Sequence, residues 1–73
     1  MSGEVEIRAC TEVEGNVIWT SLEAADFFGV YVGTPGEFVW AADFAHYQDA
    51  YNWAEEVAQL HELTIQDRCY REN

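Results

Sequence analysis

The chain is 73 residues long, 49% hydrophobic and 15% aromatic, and its three arginines and fourteen acidic residues give a net charge of −11 without a single lysine. This length predicts one domain, residues 1–73, and the apolar fraction excludes a disordered chain. Because so acidic a surface repels phosphate, the charge excludes direct binding to nucleic acid or to an anionic membrane, and it predicts a basic protein surface as the partner.

The first predicted element is a half-buried strand from Glu4 to Glu14, in which apolar and polar residues alternate. One face carries Val5, Ile7, Ala9, Thr11 and Val13, and the other carries Glu4, Glu6, Arg8, Cys10, Glu12 and Glu14. Gly15 and Asn16 predict a turn into a second strand, Val17 to Thr20, and so a first hairpin.

The middle of the chain predicts a short helix over about 21–27, because Thr20 and Glu23 have the spacing of a capping box. Two further strands follow, at 28–32 and 38–42. Residues 33–36 join them in a second hairpin, in which Pro35 fixes its own backbone angle and Gly36 tolerates a positive φ.

Residues 46–61 repeat apolar side chains with a helical period and predict one long amphipathic helix. Its apolar side comprises Tyr47, Ala50, Tyr51, Ala54, Val57, Ala58 and His61, with Trp53 and Leu60 at the edge. Its outer side is polar throughout: Gln48, Asp49, Asn52, Glu55, Glu56, Gln59 and Glu62. Residues 63–67 then alternate as a final strand.

Two hairpins with one long helix predict an α+β fold, a two-layer sandwich of an antiparallel sheet of four to five strands and a helix on one face. We expect Trp19, Trp40 and Trp53 to be mostly core residues. Cys10 and Cys69 form no CxxC pair and are expected to be free thiols, unless their strands are neighbours and allow one bridge. No signal peptide and no run of about 20 apolar residues is visible, so we expect a cytoplasmic protein.

The sequence carries no motif for catalysis or for cofactor binding. It has no HExxH, P-loop, GxGxxG or GxSxG motif. His46 and Asp49 have helical spacing that could hold a metal, but a histidine at a helix start beside a solvated aspartate is more typical of a plain surface. We therefore expect a protein that is not an enzyme and has no metal or cofactor.

The acidic residues are the main functional signal. Stable surface helices pair Glu with Lys four residues on, and this helix has no such pair. The first choice for partner-binding residues is the set of helix acids, Asp49, Glu55, Glu56 and Glu62. The second choice is the set of acids of the first strand, Glu4, Glu6, Glu12 and Glu14, among which Arg8 is the only basic residue.

In length, acidity, α+β layout and lack of catalytic motifs, the whole chain resembles the small phage-encoded inhibitors of bacterial defence, the anti-CRISPR and antirestriction proteins. Many of these act as DNA mimics. The resemblance implies a protein that binds and blocks the basic nucleic-acid-binding surface of a host defence complex in the host cytoplasm, and it transfers no site residue. A duplex of DNA displays about 13 charges over the roughly 22 Å of this helix, which carries four acids, so either several elements converge on one acidic surface or the mimicry is partial.

Two alternatives explain the same acidity. An acidic antitoxin or regulatory subunit would cover a basic toxin or nuclease. A halophilic orphan domain would carry acids as a salt adaptation and would be stable only at high salt. The sequence leaves the partner and the oligomeric state open.

Overall fold

The computed structural model describes residues 3–69, which form five strands and one helix. In chain order they are β1 (Glu4–Val13), β2 (Asn16–Trp19), β3 (Phe27–Thr34), β4 (Glu37–Phe44), α1 (Tyr47–His61) and β5 (Thr64–Asp67). The predicted α+β class, with a largely antiparallel sheet and one long helix, is confirmed. The bounds of α1 agree with the predicted 46–61 to within one residue.

The central strand of the sheet is β1. It pairs with β3 along one edge. Along its other edge, residues 4–7 pair with β5 and residues 10–13 pair with β2. β4 extends the sheet beyond β3. β5 runs parallel to β1 and is the one exception to the antiparallel arrangement within residues 3–69, because α1 carries the chain from β4 back across the sheet.

Both predicted hairpins are confirmed. In the first, the turn residues are Glu14 and Gly15, one position earlier than predicted, and both have positive φ (52° and 83°). This is the pattern of a type I′ turn, whose twist matches that of the strands. In the second, Pro35 and Gly36 join β3 to β4, and the φ of Gly36 is 90°, as a type II turn requires.

The short helix predicted over 21–27 is wrong. Residues 22–24 form turns, with a bond from Ala24 N–H to the Ser21 carbonyl. The N–H groups of Thr20 and Asp26 donate to backbone carbonyls of β1, at 2.9 and 2.8 Å, so both ends of the segment are tied to that strand. A segment this short gains too few hydrogen bonds to offset the cost of helix nucleation.

The core lies between α1 and the sheet. Its buried members are Val5, Ile7 and Ala9 of β1, Phe28 and Val30 of β3, and Ala50, Ala54 and Ala58 of α1. The predicted alternation of β1 is thereby confirmed over its first half. Because the three buried helix residues are alanines, the helix backbone lies close to the sheet and the core is thin.

The prediction that all three tryptophans are mostly core is wrong for Trp19 and Trp40, each of which is 57% exposed. Trp53 packs half-buried against the core. Trp19 and Trp40 lie on the face of the sheet opposite α1, which we call the helix-free face.

A β-bulge in β4 explains the position of Trp40. Tyr31 pairs with Trp40, but the preceding residue Val30 pairs with Ala42, which leaves Ala41 as an extra residue. Such a bulge reverses the alternation of side chains along a strand. Trp40 therefore points away from α1, whereas Ala42 remains on the helix side.

Candidate functional site

The outer surface of α1 carries the four acids of the first-choice set, and we call these residues, Asp49, Glu55, Glu56 and Glu62, the acidic helix surface. All four are exposed, as are the other residues predicted for the outer side of the helix. Glu62 follows the last helical residue in the left-handed conformation (φ 55°), and its N–H caps the helix by donating to the Ala58 carbonyl. His61, predicted on the apolar side, is exposed.

No arginine balances the acidic helix surface within residues 3–69. Both arginines of this part of the chain, Arg8 and Arg68, form salt bridges with Glu6 on the other side of the sheet. The four carboxylates of the acidic helix surface therefore face solvent without a salt bridge to any described residue.

An open groove lies beside these acids, between α1 and β5. Its polar wall comprises Asn52, Glu55, Glu56 and Gln59, and its apolar part comprises Ala58, Leu63 and Ile65. Lysine and arginine side chains have the same division, an apolar stem and a charged end. The groove has the chemistry to accept such a side chain from a partner.

The second-choice acids are not brought together with the first. Glu4, Glu6 and Glu12 alternate along the helix-free face of β1, and Glu14 lies in the first hairpin turn. The two predicted sets therefore lie on opposite layers of the molecule and do not form one continuous surface.

Glu6 differs from the rest of its set because it is buried, with 4% exposure. Its Oε2 accepts a hydrogen bond from Arg8 Nε at 2.6 Å, and its Oε1 accepts one from Arg68 Nε at 2.8 Å. The sequence reading missed Arg68, which lies 62 residues away from Glu6. Glu6 is thus a structural ion-pair centre and has no free charge to offer a partner.

The helix-free face also carries an aromatic cluster around Arg8 that the sequence reading missed. The Arg8 guanidinium carbon lies 3.9 Å from the ring centre of Tyr31, 4.8 Å from that of Trp19 and 5.7 Å from that of Phe38. Trp40 lies beside Tyr31 and donates from Nε1 to Asp43 Oδ1 at 2.8 Å. The signal available in the sequence was Arg8 on the polar face of β1, but only the pairing of β2 and β3 with β1 identifies the rings beside it.

The two cysteines are free thiols and do not suit nucleophilic catalysis at neutral pH. Burial raises the pKa of the Cys10 thiol. Burial and the neighbouring Asp67 carboxylate raise the pKa of Cys69 to about 12. Since the thiolate is the nucleophile, both groups remain in the unreactive protonated form.

Within residues 3–69, no three His, Cys, Asp or Glu side chains are grouped so that they could hold a metal ion. The same part of the chain has no helix with the length and hydrophobicity needed to cross a membrane. No protein-family model, curated protein or solved structure matches the chain.

Proposed function

We propose that this chain is a non-enzymatic interaction protein whose acidic helix surface binds a basic nucleic-acid-binding surface of a partner and blocks it. The partner class we propose is a host defence complex, in line with the resemblance to phage-encoded inhibitors. The observation that carries the proposal is the separation of charge: the acids of α1 face solvent, while both described arginines are bound to Glu6 on the opposite layer.

Three of these four acids lie at positions that do not favour the helix itself; only Asp49, in the first turn, does. Glu55 and Glu56 lie in the middle of α1, and Glu62 lies at its C-terminal end. A carboxylate near the C-terminus is unfavourable because the helix dipole is negative there. A cationic partner would offset both this effect and the mutual repulsion of the acids, which supports a binding role for them.

The size of the acidic helix surface suits partial mimicry. One helix of 15 residues replaces only part of the charge that DNA presents over the same length. Electrostatic complementarity of this kind acts mainly on the association rate and on the choice of partner. The groove beside Glu55 supplies the short-range contact, because it can hold the stem and the charged end of one basic side chain.

The test is affinity capture from a bacterial lysate with the immobilised chain, followed by elution with a salt gradient. We expect the Glu55→Lys/Glu56→Lys variant to release the basic partner at lower salt than the wild type, with about 10-fold to 100-fold weaker binding. Each exposed contact between opposite charges contributes up to about 1 kcal/mol, and charge reversal replaces this attraction by repulsion.

The matched control is Glu12→Lys/Glu14→Lys, which changes the net charge by the same amount at the far end of the first hairpin. Equal weakening by the two double variants would mean that net charge, or the second-choice acids as much as the first, drives binding, and it would contradict a specific role for the acidic helix surface. A captured toxin or nuclease that is inactive in the complex would support the antitoxin alternative instead. A chain that unfolds at low salt would support the halophilic alternative.

A further inference from the structure

The helix-free face is the least expected surface of so acidic a chain. A stripe of side chains crosses four strands, from Trp19 on β2 through Arg8 and Tyr31 to Trp40 on β4. Val17, on the same face as Trp19, is 53% exposed. Exposed, contiguous apolar surface of this kind marks an interaction site in soluble proteins.

We propose that the helix-free face binds a second copy of this chain, so that two sheets pack face to face in a symmetric dimer. This interface does not depend on the function proposed for the acidic helix surface. Because both copies use the same residues, the contact is isologous and closes after two chains.

Charge favours a second copy at this face over any other part of the described surface. Arg8 and Arg68 both lie here and offset two of the four acids on this face, Glu4, Glu6, Glu12 and Asp43, whereas the acidic helix surface has no arginine within residues 3–69. Two copies that meet here also keep their helices apart. With layers about 10 Å thick, the two acidic helix surfaces would be about 30 Å from each other, more than three Debye lengths of about 8 Å at physiological ionic strength.

The available area suits a weak dimer. Strands of eight residues, such as β3 and β4, are about 26 Å long, and four neighbouring strands span about 19 Å, which gives a face of about 500 Å². Two such faces bury about 1,000 Å², the lower limit for a specific interface. We therefore expect a dimer that forms at high protein concentration and dissociates on dilution.

Sedimentation equilibrium from about 1 μM to about 1 mM chain tests the proposal. We expect a shift from monomer to dimer that moves to lower concentration when salt rises from about 0.1 M to about 1 M, because screening weakens the repulsion between copies. Binding to a basic partner weakens with salt, so the two interactions are distinguished by the sign of the salt effect. A monomer over the whole range would overturn the proposal.

Two variants of β4 locate the interface. Trp40→Asn removes apolar surface from the helix-free face. Val39→Asn removes apolar surface from the other face of the same strand, where the Val39 side chain is 68% exposed. Neither substitution changes the net charge. We expect Trp40→Asn to weaken dimerisation at least 10-fold and Val39→Asn to leave it unchanged; equal effects would overturn the assignment.

Fluorescence of the wild-type chain provides a readout that does not depend on a variant. Trp19 and Trp40 are more than half exposed in the single chain and become covered in the proposed dimer. We expect quenching by acrylamide, which carries no charge, to decrease as the chain concentration rises through the transition. Constant quenching through a dimerisation transition would show that the tryptophans lie outside the interface and would overturn the proposal.

Discussion

Glu6→Gln is expected to destabilise the fold by about 3 kcal/mol, as measured by urea unfolding, because it leaves partly buried Arg8 without its counter-charge. The Arg8 side chain is only 19% exposed and lies among the rings of the helix-free face. Removing one partner of a buried pair leaves a charge that water solvates only in part, and this effect is larger than the loss of the attraction itself. Arg68 is half exposed and loses less, since water can solvate it.

Glu4→Gln is the matched control, because Glu4 lies two residues earlier on the same face of β1 and forms no salt bridge with any residue from 3 to 69. We expect it to change stability by less than about 0.5 kcal/mol. The double variant Glu6→Leu/Arg8→Met, which replaces the ion pair by apolar groups, should cost less than Glu6→Gln alone. Equal effects of Glu6→Gln and Glu4→Gln would show that the ion pair is not a structural centre.

Ile7→Ala is expected to destabilise the fold by about 3 to 4 kcal/mol, because the cavity it leaves lies between β1 and α1 in a core that is already thin. Ile7 is fully buried. The alanines of α1 that face it cannot fill the space, because a collapse of the helix onto the sheet is limited by backbone contact. Domains of this size rarely have more than about 3 to 5 kcal/mol of stability, so much of the variant should be unfolded at 25 °C.

Ile18→Ala is the control for this substitution, since it removes the same atoms from a side chain that is 45% exposed on β2. We expect a loss below about 1 kcal/mol, because much of this side chain is already in water. Circular dichroism during urea titration measures both variants. If Ile7→Ala lost no more stability in urea than Ile18→Ala, the contact between α1 and β1 would not form the core of the fold.

The parts of the fold that local chemistry determines were predictable. The alternation of Val5, Ile7 and Ala9 identified the buried face of β1, and Pro35 with Gly36 identified the second hairpin. The helical period gave the exposed surface of α1. Each of these signals lies within one element and needs no knowledge of its neighbours.

The parts that depend on pairing between distant strands were not predictable. The exposure of Trp40 depends on the bulge at Ala41, which appears only in the register between β3 and β4. The ion pair between Glu6 and Arg68 depends on β5 running parallel to β1. The failed helix over 21–27 has the same origin, since its ends are tied to β1 by backbone bonds. Local propensity is a weak guide wherever such tertiary contacts compete with it.

The residues of the candidate site were likewise predictable where one element determines their exposure, and not where strand pairing does. The acids of α1 were identified from the helical period, and their exposure follows from it. The acids of β1 were grouped by alternation alone, which placed Glu6 in a binding set although it is buried and paired. The helix-free face was missed because aromatic residues on three strands and Arg8 on a fourth form a surface only when the strands are aligned.

Competition with DNA is the most direct test of the proposal that the acidic helix surface occupies a nucleic-acid site. The partner captured by the chain would be purified and titrated with labelled duplex DNA in the presence and absence of the chain. We expect the partner to bind either the DNA or the chain, with the chain displacing the DNA and the Glu55→Lys/Glu56→Lys variant failing to do so. A complex that contains the partner, the DNA and the chain together would contradict the proposal.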